Sequence, residues 1–266
     1  MADSAHSAKS ADRRTWYEKF FNDSPYLAYL KHSHIEHLDD AVAFVKSKLE
    51  LKAGQVLFDQ CCGHAALGAC LAADGVKVYG CDIAPKMVEA ARENTRSKGT
   101  AAEANANFVV ADAREYQCPE PADAAINWYT SFGYGDDDDN QMLLARVYES
   151  LKSGGRFALD YPNTAVVLGK FRKSMVQNIP TEGGNLLVTR ESRVDARNGR
   201  LEQSWTFVEA DGTRSSFDGT VRIYLPSDLC AMLEEAGFVG LELFGNTEGD
   251  WLSLESNRCI IIAAKK

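Results

Sequence analysis

Apolar positions along the chain alternate between a period near two and a period near 3.6, the rhythm of strands set between helices in a parallel α/β sheet. Leu38 to Leu51 reads as an amphipathic helix, and Ala53 and Gly54 lead from it into a strand, Val56 to Asp59. Ala65 to Asp74 is predicted as helix and Val76 to Cys81 as strand. Ala84 to Lys98 follows as a helix with Pro85 in its first turn, where a missing N–H costs little. Asn107 to Ala111 and Ala122 to Asn127 are two further strands. Asp136 to Lys152 is a helix whose acidic start suits the helix dipole, and Arg156 to Asp160 is a fifth strand after the turn Ser153-Gly154-Gly155.

Beyond residue 160 the rhythm changes. Leu186 to Val194, Leu201 to Glu209 and Phe217 to Tyr224 read as three antiparallel strands, joined through Asn198-Gly199 and Asp211-Gly212, both strong hairpin signals. A helix returns at Pro226 to Ala236 with Gly237 as its C-cap, and strands at Val239 to Phe244 and Arg258 to Ala263 complete the sheet. The predicted class is α/β: a doubly wound, Rossmann-like, seven-stranded and mostly parallel sheet with an inserted antiparallel β-meander. Residues 1–35 are expected to be a flexible segment and helical cap, and 36–266 the main domain. Within it 180–224 forms the meander, which would either cover the edge of the sheet as a lid or pair with a second copy in a homodimer.

A chain of 266 residues is long enough for one well-buried α/β domain with an insertion. Its net charge of −9 argues against a nucleic-acid partner, because phosphate binding needs a basic surface. No apolar run reaches membrane-span length, and Met1 to Asp12 is polar and rich in Ser and Ala rather than signal-like, so a cytoplasmic location is expected. The seven cysteines form no paired framework, which suits a reducing compartment. Adjacent Cys61 and Cys62 read as small turn residues, since neither a C-x-x-C spacing nor converging metal ligands accompany them.

The most informative stretch is Val56 to Ala65. An apolar run ends in Asp59 and a small-residue turn, where backbone can approach a ligand without Cβ interference. Asp82 follows Asp59 by 23 residues, close to one βαβ unit, and stands at the tip of the next strand, where doubly wound folds bind ribose hydroxyls. By themselves these features fit a nicotinamide cofactor as well as another nucleoside.

Further motifs, in order, extend the pattern. Asp59-Gln60-Cys61-Cys62-Gly63-His64-Ala65 stands where a D-x-G-x-G-x-G motif would, with only the middle glycine kept. Asp112-Ala113 is an acidic and small pair, and Lys152-Ser153-Gly154-Gly155-Arg156-Phe157 a glycine turn before the fifth strand. On these residues the chain resembles a class I S-adenosylmethionine-dependent methyltransferase across most of 36–265. The loop Ser131-Phe132-Gly133-Tyr134, the segment Trp16-Tyr17-Glu18-Lys19-Phe20-Phe21 and Arg222-Ile223-Tyr224 are similar to a bacterial small-molecule subgroup.

The resemblance implies S-adenosylmethionine as cofactor, leaving as S-adenosylhomocysteine, and cofactor contacts from Trp16, Tyr17, Asp59, Cys61, Gly63, Asp82, Ile83, Met87, Asp112, Ala113 and Asn127. Asp82 would hold the ribose and Asp112-Ala113 the adenine. A small-molecule acceptor is expected against Trp128, Tyr129, Phe132, Tyr134, Tyr161, Arg222 and Tyr224, since aromatic faces suit a cationic sulfonium and arginine binds carboxylates bidentately. Each also has a plain structural alternative: aromatics pack a sheet edge for area alone, and Arg222 fits an ordinary sheet salt bridge.

In-line methyl transfer asks the protein mainly to position the reactants and exclude water, so O, N or C of the acceptor stays open. A base is needed only for an acceptor that would otherwise stay protonated; the candidates are Tyr129, Tyr134 and His34. His32, His34 and His37 lack a completing carboxylate or thiol, so no metal is expected. Asp136 to Asp139 reads as a solvated helix start, and His64 as a filler beside the methionine carboxylate. A second function class remains: a non-methylating protein on the same fold, such as a cyclisation catalyst or an enzyme using a carboxylated form of the cofactor.

Overall fold

The computed structural model describes residues 16–22, 24–33, 37–181 and 183–266. A seven-stranded sheet has the order β10-β11-β5-β4-β1-β2-β3. Its strands are β1 (Val56–Gln60), β2 (Lys77–Asp82), β3 (Ala106–Val110), β4 (Ala122–Asn127), β5 (Leu151–Pro162), β10 (Phe238–Phe244) and β11 (Arg258–Lys265). β3, β2, β1, β4 and β5 are mutually parallel, whereas β11 runs antiparallel to both β5 and β10. β1 is buried along its whole length, as a central strand covered on both faces must be, and that is why it reads as an uninterrupted apolar run.

Helices cover the two faces. Against one pack α3 (Leu38–Lys48), α4 (Ala66–Ala73), α5 (Pro85–Ser97) and α6 (Thr100–Asn105), around Leu57, Val78, Ile126 and Phe108; against the other pack α7 (Asp137–Ser150) and α9 (Pro226–Glu235), around Phe58, Phe157 and Ile261. From β1 the chain winds outward through β2 to β3, and then restarts at β4 and winds the other way. A crevice therefore opens at the carboxyl ends of β1 and β4, the switch point where such sheets bind ligands.

The insertion differs from expectation. It is a separate four-stranded antiparallel sheet, β6 (Ser174–Thr181), β7 (Gly184–Asp195), β8 (Arg200–Val208) and β9 (Arg214–Arg222), so it begins before 180 and has one strand more than the pattern predicts. β6 is an edge strand, mostly exposed and carrying Pro180, which an edge tolerates and a sequence pattern penalises. The hairpin turns lie where expected, with Gly199 at φ 59° and Gly212 at φ 90°. The turn expected at Ser153-Gly154-Gly155 is instead an irregularity within β5, where Leu151 pairs with Ala122 but Arg156 already pairs with Ala124. Short helices α6 and α8 (Thr164–Gly169) had no clear sequence signal.

Residues 16–21 (α1) and α2 (Ser24–Ser33) form a cap. Its aromatic rows pack on the inserted sheet: Phe20 and Tyr26 join Trp205, Phe207, Ile179 and Leu186 in a third core, with Ala84 and Met87 from the start of α5. Gly219 on β9 has no side chain, and the Trp16 ring fills the space a Cβ would take. The flexible segment expected within 1–35 falls for residues 1–15 outside the described residues.

Candidate functional site

The turn after β1 sets the site. Cys61, Gly63 and Ala65 all have left-handed backbone, with φ of 55°, 54° and 49°. Only Gly63 adopts this freely; the other two carry about 1–2 kcal/mol each of Cβ strain, at the positions where a D-x-G-x-G-x-G motif would place glycine. A Cβ at Gly63 would meet no protein atom within 4 Å, so it would project into open space. The Gly63 N–H donates to Asp82 Oδ2 at 2.9 Å, and the Ala84 N–H donates to Asp82 Oδ1 at 2.9 Å. Asp82 is thereby fixed at the tip of β2, each carboxylate oxygen accepting one backbone N–H.

A cleft runs from this turn along the carboxyl edge of the sheet. Asp112, Ala113 and Arg114 line it beyond β3, Asp82, Ile83 and Met87 at and beyond the end of β2, Asp59, Gly63 and His64 at and beyond the end of β1, and Trp128 and Tyr129 beyond β4. Tyr17, Phe21, Tyr26 and Leu30 of the cap and Tyr134 of the loop after β4 close over it. Phe21 and Tyr134 meet edge to face at 5.2 Å, and Trp16 and Tyr134 at 5.6 Å, so the cap and the loop form one aromatic roof.

Burial and charge tune the carboxyls. Burial, with neighbouring Asp82, pushes Asp59 up to about 8; its Oδ2 tucks against Gly68 in the first turn of α4, where a Cβ would come within 2.7 Å. Burial also raises Asp82, opposed by the backbone N–H groups of Ala84 and Gly63. Cys61 and Cys62 are raised well above an ordinary thiol, chiefly by burial, so neither is an activated nucleophile. Tyr129 is pushed up to about 12 by burial and by Asp160, and Tyr134 is raised by burial, so both phenols stay protonated at neutral pH and offer no basic phenolate.

At the far end, Arg114 reaches both Asp112 oxygens and also donates from Nη1 to Asp139 Oδ1 at 2.5 Å. Asp139 is buried, which corrects the reading of Asp136 to Asp139 as a wholly solvated helix start: Asp136 caps α7 and Asp139 faces inward. Asp112 therefore faces the cleft while bound to a guanidinium. Arg114 and Asp139 were missed, though Arg114 lies only two residues past Asp112.

The structure brings together at the cleft Tyr17, Asp59, Cys61, Gly63, Asp82, Ile83, Met87, Asp112, Ala113, Trp128, Tyr129 and Tyr134 from the expected set. It places others elsewhere. Trp16 lies behind Tyr134 on the inserted sheet rather than on the cleft wall. Asn127, the last residue of β4, is fully buried and off the cleft lining, with its amide donating to Gln60 Oε1 at 3.1 Å. Phe132, Tyr161 and Tyr224 belong to the core on the α7 side. The Tyr161 hydroxyl donates to the Arg222 carbonyl at 2.6 Å, and the Tyr224 hydroxyl to Asp137 Oδ1 at 2.7 Å. Arg222 pairs with Asp137 at 2.9 Å. These four hold the inserted sheet to the main domain instead of forming an acceptor wall. His34 lies outside the described residues. Among the described residues no cluster of three or more His, Cys, Asp or Glu side chains is placed to hold a metal ion, and no helix is long and apolar enough to cross a membrane.

The loop after β4 is itself strained. Tyr129 and Thr130 are consecutive non-glycine residues with φ of 59° and 67°, and for β-branched Thr130 this is a rare conformation that surrounding contacts must enforce.

Residues 57–155 match a methyltransferase domain. The matched span runs from β1 to the irregularity in β5 and carries Asp59, Gly63, Asp82 and Asp112. S-adenosylmethionine is the cofactor this match supports, and the cleft offers the carboxylates and close backbone approach that its nucleoside requires. No curated protein sequence matches the chain.

Similar solved structures include the CcbJ methyltransferase from Streptomyces caelestis, at TM-score 0.71 and 18% identity over 86% of this chain and 90% of that one. An S-adenosylmethionine-dependent methyltransferase from Clostridium acetobutylicum ATCC 824 aligns at TM-score 0.74 and 17% identity, over 89% and 98%. CalS10, an amino pentose methyltransferase from Micromonospora echinaspora, aligns at TM-score 0.66 and 20% identity, over 91% and 96%. At these identities the likeness is one of fold.

Proposed function

We propose that the protein transfers the methyl group of S-adenosylmethionine to a small-molecule acceptor. The observation that carries this reading is Asp82, fixed by the Gly63 and Ala84 N–H groups at the centre of a cleft roofed by aromatic rings. Asp82 would receive the ribose hydroxyls and the Asp112–Arg114 end the adenine, so the methionine part would extend over β1 and β4 toward Trp128 and Tyr129. The sulfonium would then lie under Tyr134, whose ring favours a cation and excludes water, with Tyr17 over the Asp112–Arg114 end.

Transfer would be an in-line displacement: the acceptor lone pair attacks the methyl carbon as the carbon–sulfur bond breaks, leaving neutral S-adenosylhomocysteine. The high phenol pKa values of Tyr129 and Tyr134 favour an acceptor that is already nucleophilic, such as an amine in its free-base form, over a hydroxyl needing a strong base. The names of two fold neighbours, an amino pentose methyltransferase and a sugar N-methyltransferase, make amino sugars the first acceptors to try.

Isothermal titration with S-adenosylhomocysteine tests the reading. Saturable binding that is lost in Asp82→Ala is expected, and no binding by the unmodified chain would sink it. The reading also holds the chain to be a cytoplasmic enzyme with no nucleic-acid partner, and the inserted sheet, which anchors the cap, to act as a lid rather than a dimer contact.

A further inference from the structure

The strained pair Tyr129-Thr130 is gripped from below. Asp160, at the carboxyl end of β5 and 2% exposed, accepts the Tyr129 N–H on Oδ2 at 3.0 Å. Arg258, at the start of antiparallel β11, donates from Nε to Asp160 Oδ1 at 2.7 Å and from Nη2 to Thr130 Oγ1 at 3.0 Å. It also pairs through Nη2 with Asp160 Oδ2 at 2.6 Å. One buried carboxylate and one guanidinium thus hold both left-handed residues, one by its backbone and the other by its side chain. From above, the Ser131 hydroxyl donates to the Cys61 carbonyl at 3.2 Å, tying the same loop to the turn after β1.

The grip acts at one end of the cleft only. Asp82 and Asp112 stand beyond β1 on the β2 and β3 side, whereas Trp128 and Tyr129 pack on the α3 and α4 side near Phe44, Ala65 and Leu67. Neither Asp160 nor Arg258 lines the cleft.

We propose that Asp160 and Arg258 are positioning residues that force Tyr129-Thr130 into the left-handed conformation and so shape the pocket for the amino-acid end of the cofactor. The inference rests on the cofactor reading above. Without the guanidinium fork, the loop relaxes toward right-handed or extended backbone, and Tyr129 swings away from the turn at Gly63. The adenosine end, built on other strands, keeps its geometry.

The test compares two probes by calorimetric titration: S-adenosylhomocysteine, and 5′-methylthioadenosine, which shares the adenosine but lacks the amino-acid part. Arg258→Gln is expected to weaken S-adenosylhomocysteine about tenfold or more while changing 5′-methylthioadenosine by less than about twofold, since misplacement of the loop touches one end alone. Adding Thr130→Gly, which makes the left-handed backbone intrinsically accessible, is expected to restore much of the loss. If Arg258→Gln does not fold, Arg258→Lys keeps a charge beside Asp160 and should show the same selective loss at smaller size. Equal losses for both probes, or no loss in a folded variant, would overturn the proposal while leaving the cofactor reading intact. An unmodified chain that binds neither probe would overturn both.

Discussion

The Gly63 N–H and the Asp82 carboxylate meet at 2.9 Å, so the turn after β1 and the tip of β2 are one device rather than two. The bond requires the left-handed backbone that Gly63 adopts, and it leaves the space above Gly63 free of side chain. Gly63→Val is therefore expected to abolish binding of S-adenosylhomocysteine. Gly63→Ala should cost about 1–2 kcal/mol of stability from its left-handed backbone and also weaken the ligand. Calorimetric titration beside denaturant unfolding separates the two effects, and unchanged affinity in a folded Gly63→Val would show that the turn is not the cofactor site.

Asp59 is held protonated by burial up to about pH 8. A carboxyl raised in the folded state stabilises the fold below its unfolded pKa, and that contribution is lost as pH rises through the folded value. The protein should therefore lose stability between about pH 4 and pH 8 through this group, and Asp59→Asn should flatten that part of the profile. A bound cation favours the ionised form, so affinity for S-adenosylmethionine should rise from pH 7 to pH 9 with proton release on binding. Titrations in buffers of different ionisation enthalpy check this, and a pH-independent affinity would contradict it.

Trp16 lies against Gly219 of the inserted sheet and also packs on Tyr134 of the roof. Gly219→Ala should push the indole off the sheet and loosen the cap, raising the dissociation rate of S-adenosylhomocysteine with little change in the melting of the main sheet. Stopped-flow fluorescence measures the rate, and an unaltered value would mean that the cap does not gate the cleft.

Arg114 joins Asp112 to Asp139, with 11% of its side chain exposed. Arg114→Met leaves two close carboxylates without their shared cation and is expected to cost about 2–4 kcal/mol, less than a fully buried pair because Asp112 keeps some solvent. Urea unfolding measures the loss. A change within about 0.5 kcal/mol, the usual range for surface substitutions, would show the pair to be of no structural weight.

Much of this was legible in the chain because it depends on local order. Asp59 and Asp82 lie in the last residues of their strands and Gly63 and Asp112 just past theirs, and strand ends are marked by where an apolar run stops. The late hairpins were legible through glycine at positions of positive φ. β6 was not, because an exposed edge strand with Pro180 has no inward pattern to read. Phe132, Tyr161, Arg222 and Tyr224 were read toward the cleft because spacing puts them near the right edge but does not say to which side a side chain turns; packing against α7 and Asp137 turned them away. Arg258 was invisible as a partner because its carboxylate, Asp160, lies 98 residues distant, and the link from Arg114 to Asp139 crosses 25 residues to another element.

By itself the sequence determined the order of the main sheet's strands and of its longer helices, the crevice at the end of β1, and the carboxylates that mark it, since each follows from periodicity, turn chemistry and the fixed handedness of βαβ connections. Only the tertiary structure decided that the inserted sheet carries the cap, that Asp112 is bound by Arg114, and that Asp160 and Arg258 hold Tyr129-Thr130 in a conformation neither residue prefers. The physical reason is range: backbone preference acts over a few residues, whereas a buried charge pair and an aromatic roof exist only once distant segments have met.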